Sequence, residues 1–286
     1  MDQKVLQKIE DMHFTKSQAR IADYIVKNPK RIAGMTAREA GKEIGVSDAT
    51  VIRFARALGF EGYPQLQEQF QKELRENNDK IGRHSLYDRY VLQMKRYEEG
   101  HGHMKEVLRL MTMNLETSIR QNQEESYGRV ASALLKADAK VIIGLRGGQA
   151  PAQQFSRLLS MITKNTMVIT KDDQESLTAL MDLSEKDLAV FLNFPRYYKV
   201  DEKIAVILKK KDVRIVLITD SMASPVAKDA WEILLMETEH CGFFHSMLGV
   251  EAVLEYLMIL MCWQQPEEFA RRLGERDQIL DEYLLK

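Results

Sequence analysis

Ser47-Asp48-Ala49-Thr50-Val51-Ile52-Arg53-Phe54-Ala55-Arg56-Ala57-Leu58-Gly59-Phe60 is the stretch on which the reading of this chain turns. Val51, Phe54, Ala55 and Leu58 fall at three- and four-residue steps, so a helix gathers them into one apolar stripe. Ser47 stands where an N-cap hydroxyl accepts from a first-turn N–H. Gly59 stands where helices end on a residue with positive φ. The other face carries Asp48, Ala49, Thr50, Arg53 and Arg56. These are small, hydrogen-bonding and cationic side chains in the first turns of a helix, a face that either meets DNA or is simply solvated.

Upstream, Thr15 with Gln18 makes a capping box that opens a helix to Val26. Its inward residues are expected to be Ala19, Ala22, Ile25 and Val26, with Ile21 flanking them. Asn28-Pro29 breaks that helix, and Pro29 suits the start of a short one through Ile32. Thr36-Ala37-Arg38-Glu39 is a second capping box, opening a helix to Ile44, and Gly45-Val46 is the turn into Ser47. Two capped helices joined by a tight glycine-containing turn make a helix-turn-helix. Downstream, Gly62-Tyr63-Pro64 stops and restarts the chain, and Leu66, Phe70 and Leu74 mark a closing helix.

Charge agrees with this reading. The 286 residues are 45% hydrophobic and 29% charged with a net charge of −1, ordinary for a globular protein of two domains. A protein coating DNA without selectivity would be more basic, so a nucleic-acid contact has to be local. From Phe14 to Pro64 nine cations face five anions, a local +4. Cys241 and Cys262 share no metal or CxxC spacing and read as free buried thiols. The apolar run Met247–Trp263 contains Glu251 and Glu255 and is too polar for a membrane span. With no secretory leader at the start, the expectation is a soluble, cytoplasmic protein.

Arg75-Glu76-Asn77-Asn78-Asp79-Lys80 lacks an apolar stripe, and residues 77–103 are expected to be a linker between a DNA-binding domain over 1–76 and a second domain over 104–286. His101-Gly102-His103 lies at its end and reads as solvated loop, because no carboxylate or cysteine nearby completes a metal site. Helical patterns run from Lys105 to Gln121 and from Glu124 to Lys136. Short apolar runs follow at Val141–Leu145, Thr166–Ile169, Leu188–Leu192, Arg214–Ile218 and Glu232–Leu235. Helical segments alternate with them near Ala150–Ile162, Glu175–Leu183, Lys199–Lys210 and Pro225–Asp229. Such alternation predicts a parallel sheet flanked by helices, a flavodoxin- or Rossmann-like three-layer α/β domain behind the all-α one. An apolar helix from Met247 to Trp263 and an amphipathic one from Pro266 to Leu285 close the chain.

Ligands of open parallel sheets bind beyond the carboxyl ends of the strands, and three loops leave such ends. Gly144-Leu145-Arg146-Gly147-Gly148-Gln149 has glycines that let backbone approach a ligand, a cation, and a helix N-terminus behind it. Its glycines serve a tight strand-to-helix turn equally well. Asn193-Phe194-Pro195-Arg196-Tyr197-Tyr198 joins an amide, a guanidinium and phenols, and an arginine grips phosphate bidentately, though a surface loop whose tyrosine packs on the sheet reads equally. Thr219-Asp220-Ser221 is the third, where Asp220 alternatively holds a turn. His245 precedes the Met247 helix and is a further candidate for the ligand site or a satisfied core histidine. Nothing marks a metal site or a nucleotide-hydrolysing loop.

Phe14-Thr15-Lys16-Ser17-Gln18, Ile21-Ala22-Asp23-Tyr24-Ile25, Asn28-Pro29, Val46 to Phe54 and Leu58-Gly59-Phe60-Glu61-Gly62-Tyr63 resemble the N-terminal domain of RpiR-type bacterial transcriptional regulators. The α/β part resembles the sugar isomerase (SIS) domain carried by that family, in layout and in the phrases Phe194-Pro195-Arg196-Tyr197 and Ile218-Thr219-Asp220-Ser221. The resemblance implies a dimeric or tetrameric regulator of carbohydrate metabolism that binds operator DNA and senses a phosphorylated sugar or related anionic metabolite. It implies no cofactor, no metal, no membrane and no enzymatic activity. The sequence departs from the family where SIS domains usually place phosphate-holding hydroxyls. Gly148 stands in the first loop where Ser is usual, and Asn193, Pro195, Arg196 and Tyr198 replace most of the second set. Three alternatives stay open: Arg146, Arg196 and backbone N–H groups take over the anion, the ligand differs, or the domain only dimerises.

On this reading the Ser47–Leu58 helix enters the major groove. Arg53 is the candidate for a base edge, and Thr50, Asp48 and Ala49 for bases or a thymine methyl. Ser47, Thr36, Arg56 and Tyr63 are candidates for phosphates. The ligand candidates are Gly144, Arg146, Gly147, Gly148, Gln149, Asn193, Arg196, Tyr197, Thr219, Asp220, Ser221 and His245. The rival reading, a sugar-phosphate isomerase or lyase, needs a placed acid or base, for which His245, Glu251 and Asp220 are the candidates.

Overall fold

The structure is a computed structural model that describes residues 5–10, 12, 14–28, 32–83, 86–98, 104–240, 244–281 and 283. The start of the short helix expected at Pro29, the His101-Gly102-His103 segment and Cys241 lie outside the described residues. The chain divides into two compact units, one of Met1–His84 with Ser221–Ser224 and one of Ser85–Asp220 with Pro225–Lys286. No helix is long and apolar enough to cross a membrane, among the described residues.

The first unit is helical: α1 Val5–Glu10, α2 Lys16–Lys27, α3 Ala37–Ile44, α4 Asp48–Ala57 and α5 Tyr63–Arg83. Both capping boxes form. Thr15 accepts from the Gln18 N–H and Thr36 from the Glu39 N–H, while the Gln18 and Glu39 side chains accept from the cap backbone. Val51, Phe54, Ala55 and Leu58 are all buried, as their spacing requires. They meet Ile21, Ala22 and Ile25 of α2, Ala40 and Ile44 of α3, and Leu66 and Phe70 of α5. The inward face of α2 differs from the expectation at two positions. Ala19 and Val26 are exposed and Ile21 is buried. The stripe is rotated because the bulkier Ile21 releases more apolar area from water than Ala19 does.

The stretch expected to be a linker is helical where it is described. Helix α5 continues to Arg83, and a further helix, α6, spans Leu86–Glu98. Arg, Glu and Lys propagate a helix well once its first turns are nucleated by packed residues such as Leu66 and Phe70. The polar stretch therefore extends an existing helix and needs no apolar stripe of its own.

In the second unit, α7 Met104–Arg120 and α8 Glu124–Lys136 precede the sheet strands β1 Lys140–Gly144, β2 Thr166–Ile169, β3 Leu188–Leu192, β4 Arg214–Thr219 and β5 Glu232–Leu235. Between them lie α9 Gln149–Ile162, α10 Gln174–Ala179 and α11 Lys199–Lys210, and after them α12 Leu248–Gln264 and α13 Pro266–Leu280. All pairings are parallel in the order β2-β1-β3-β4-β5. Alternate residues feed two cores. Ile142, Val190, Val216 and Leu234 face α8, α9 and α12, while Val141, Ala189, Phe191 and Leu217 face the side of α11. Burial on both faces explains why the strands read as continuous apolar runs rather than alternating ones.

Two expected helices are shorter. Pro225–Asp229 forms only a 3-10 turn over Ala227–Asp229, and Glu175–Leu183 ends its α-helix at Ala179 before a 3-10 turn. So few residues cannot build several turns of i→i−4 bonds. The last helix stops at Leu280 rather than Leu285.

Two contacts fix the helical layer on the sheet. A Cβ on Gly249 would lie 2.1 Å from Ser118 Oγ and 2.8 Å from the Asn114 carbonyl, so α7 and α12 cross at that glycine. At the β5 edge, Asn122 accepts from the Leu235 N–H at 2.7 Å and donates to its carbonyl at 2.9 Å. Arg129 adds a bidentate pair to Glu232, at 2.7 and 3.1 Å.

Candidate functional site

The exposed face of α4 is an ordered polar line. Ser47 accepts from the Thr50 N–H at 3.2 Å, the Ser47 and Thr50 hydroxyls lie 2.8 Å apart, and Arg53 donates to Thr50 Oγ1 at 3.1 Å. Residues 47, 50 and 53 follow the three-residue step, so the guanidinium is held along the helix face before any partner arrives. Asp48 and Ala49 are exposed beside it, and Arg56 donates to the Glu61 carbonyl at 3.3 Å. The first turn also carries the N-terminal N–H groups that favour phosphate.

The turn that presents this face is braced from α2. Gly45 has φ +73°, and Arg20 donates to the Ile44 carbonyl at 2.6 Å and the Gly45 carbonyl at 3.3 Å. These are carbonyls that the end of α3 leaves without intrahelical partners. A Cβ on Gly41 would come within 2.8 Å of the Val46 carbonyl, so only glycine lets α3 pass so close to the start of α4. Arg20 and Gly41 carry no motif of their own, and only the three-dimensional turn reveals their role.

Tyr63 is corrected. It is buried, its hydroxyl donates to the Ile32 carbonyl at 3.4 Å, and burial drives its phenol well above the usual range. An apolar ring at the start of α5 gains more from the core than from solvent, so it is not placed to reach a phosphate. Thr36 and Ser47 are at the surface with their hydroxyls engaged as caps.

In the second unit a cavity of about 460 Å³ opens beyond the carboxyl ends of β1 and β3. Strand order reverses there, since β2 lies on one side of β1 and β3 on the other. Such a switch point leaves a crevice between crossovers that leave on opposite faces. The first loop supplies Leu145, Arg146, Gly147 and Gly148. The end of β3 supplies Asn193, Phe194, Pro195, Arg196 and Tyr198 beside Leu192, and the approach to α12 supplies Phe244, His245 and Met247.

Six sequence-predicted ligand residues therefore meet at the cavity: Arg146, Gly147, Gly148, Asn193, Arg196 and His245. The other six do not line it. A Cβ on Gly144 would meet the Gly148 carbonyl at 2.2 Å and Ala152 at 2.5 Å, so that glycine serves the tight strand-to-helix turn. Gln149 donates to the Thr170 carbonyl at 2.6 Å. Tyr197 donates to Asp220 Oδ1 at 3.2 Å, and burial, with the Asp220 charge behind it, holds its phenol far above the usual range. Ser221 accepts from the Ala223 N–H at 3.1 Å, and Thr219 is fully buried at the end of β4. These groups shape the neighbouring turns.

Arg146 is held more firmly than its sequence position suggests. Its φ is +53°, a left-handed conformation that costs a residue with a Cβ. Its guanidinium pairs with the fully buried Asp201 and stacks 4.1 Å above the Tyr198 ring. Asp201 also accepts from the Tyr198 N–H at 2.9 Å, capping α11. Asp201, Phe244 and Met247 escaped the sequence reading. Asp201 stands in the first turn of α11, where a carboxylate is ordinary, while Phe244 and Met247 are far in sequence from the strand ends they cover. No cluster of metal-ligating side chains occurs among the described residues.

Comparison with known proteins matches a helix-turn-helix domain of the rpiR family to residues 3–77 and an SIS domain to residues 133–261. An uncharacterized HTH-type transcriptional regulator of Caldanaerobacter subterraneus subsp. tengcongensis is 22% identical over 275 residues, covering 93% of each chain. The sugar isomerase domain of an RpiR transcription factor from Sphaerobacter thermophilus is 26% identical with a TM-score of 0.57, covering 60% of this chain and 96% of that one. The Vibrio vulnificus NanR protein, solved in complex with ManNAc-6P, superposes over 98% of this chain and 99% of its own, with a TM-score of 0.58 at 17% identity.

Proposed function

This chain belongs to the RpiR family of helix-turn-helix transcriptional regulators with an SIS domain, and from that premise we propose that it reads an operator through α4 and is controlled by a small anion bound at the β1–β3 cavity. The observation that carries the DNA half is the Ser47–Thr50–Arg53 line, exposed and ordered on a helix whose opposite face is fully buried. Arg53 is the residue for a guanine edge. Arg56 and the first-turn N–H groups take phosphates.

The observation that carries the effector half is the convergence of Arg146, Arg196 and the N-terminus of α9 on one cavity at the sheet's switch point. The strained Arg146, fixed by Asp201 and Tyr198, supports a binding role, because strain persists where surrounding structure enforces it. ManNAc-6P in the NanR complex makes phosphorylated sugars the first ligands to titrate. Met104, Leu108, Met111 and Leu115 lie exposed at alternating four- and three-residue steps on α7, which supports a dimer. The effector acts only through its differential affinity for the DNA-competent and incompetent states.

Selection of operator sequences with the full chain, followed by titration of phosphorylated sugars against the bound operator, tests the reading. Sequence-selective binding that shifts with ligand supports it. Absence of selective binding overturns the DNA half. A response that survives Arg196→Ala unchanged overturns the assignment of the cavity. A turnover assay on the same sugars addresses the isomerase reading directly.

A further inference from the structure

We propose that the cavity takes its anion on a flat apolar body, an aryl phosphate or aryl carboxylate in chemical class, rather than on a polyhydroxylated sugar. The inference rests on the reading of this cavity as the effector site and concerns the part of the ligand that is not the anion.

Four planar rings line the space: the phenyl groups of Phe194 and Phe244, the phenol of Tyr198 and the imidazole of His245. Leu192 and Met247 add aliphatic surface beside them. The Tyr198 ring already carries the Arg146 guanidinium stacked at 4.1 Å, so the wall is a paired planar platform with a cation at its edge. Offset stacking on such rings favours a flat π-system. A volume of about 460 Å³ accommodates one ring and one anionic group with room to spare.

A sugar meets the opposite conditions. Each of its hydroxyls brings a donor that needs an acceptor once buried. Arginine has donors only. No Ser, Thr, Asp or Glu side chain lines the cavity, and the side chains there able to accept are Asn193, Tyr198 and His245, among the described residues.

Calorimetric titration of the full chain with inorganic phosphate, glucose 6-phosphate and phenyl phosphate at one ionic strength tests this. Phenyl phosphate is expected to bind at least tenfold more tightly than either of the others. Phe244→Ala, at a ring that is 61% exposed and therefore dispensable for folding, is expected to weaken phenyl phosphate about three- to tenfold and leave inorganic phosphate unchanged. Equal or tighter binding of glucose 6-phosphate overturns the inference while leaving the effector site standing. Inorganic phosphate matching phenyl phosphate also overturns it, because the body then contributes nothing. Binding of none of the three, or phenyl phosphate binding untouched by Arg196→Gln, overturns both the inference and the site on which it rests.

Discussion

Arg146 and Arg53 do different work with the same guanidinium. Arg53 projects from a helix face, held by one neutral hydroxyl at 3.1 Å, and keeps its planar fork for a partner outside the chain. Arg53→Ala should cost about 1–3 kcal/mol of binding to the selected operator and relax preference at one base position, measured by competition binding against single-base variants. Equal affinity and unchanged preference would remove Arg53 from the base-contact role. Arg146 is instead committed to Asp201 and Tyr198 in a left-handed backbone. Its removal leaves a buried carboxylate uncompensated. Arg146→Ala is expected to destabilise the chain by about 2 kcal/mol, below the range for fully buried pairs because the arginine side chain is 32% exposed. Arg146→Gly loses the same pair but relieves the backbone, so it should be more stable than the alanine variant by about 1 kcal/mol in denaturant unfolding. Position 146 was legible as a cation in the loop after β1. Its internal partner was not, because fifty-five residues separate Asp201 from it and only the sheet brings them together.

At the scale of elements, capping chemistry and apolar runs were readable because each acts over a few neighbouring residues. Thr15, Thr36 and Ser47 cap their helices as their spacing predicts, and three of the five strands begin and end where their apolar runs do. Packing between elements was not readable from spacing. Ile21 replaces Ala19 and Val26 on the inward face of α2, and Tyr63 turns into the core, through contacts supplied by α3 and α4. The crossing of α7 and α12 at Gly249 is the sharpest case. Gly249→Ala forces a methyl against Ser118 Oγ and the Asn114 carbonyl, and the second of these is backbone that cannot swing aside. A loss of about 1–3 kcal/mol in thermal or chemical unfolding is expected.

For the whole molecule, the small net charge of −1 beside a local +4 confines DNA contact to one region of the first unit. A dimer presents two recognition helices, so footprinting of the selected operator should show dyad-related half-sites about one helical turn apart or a multiple of it. A single asymmetric half-site would count against the dimeric reading. The sheet order β2-β1-β3-β4-β5 also has a consequence in time. The helices of the first unit all lie before residue 84, and apart from Met222 its core joins residues near one another in sequence. The sheet waits for β5 at Glu232–Leu235, and one of its covering helices, Leu248–Gln264, comes later still. Local helical contacts form fast, whereas parallel pairings across crossovers form slowly. During synthesis from the amino terminus, every helix of the first unit is therefore made while the sheet of the second unit is still incomplete.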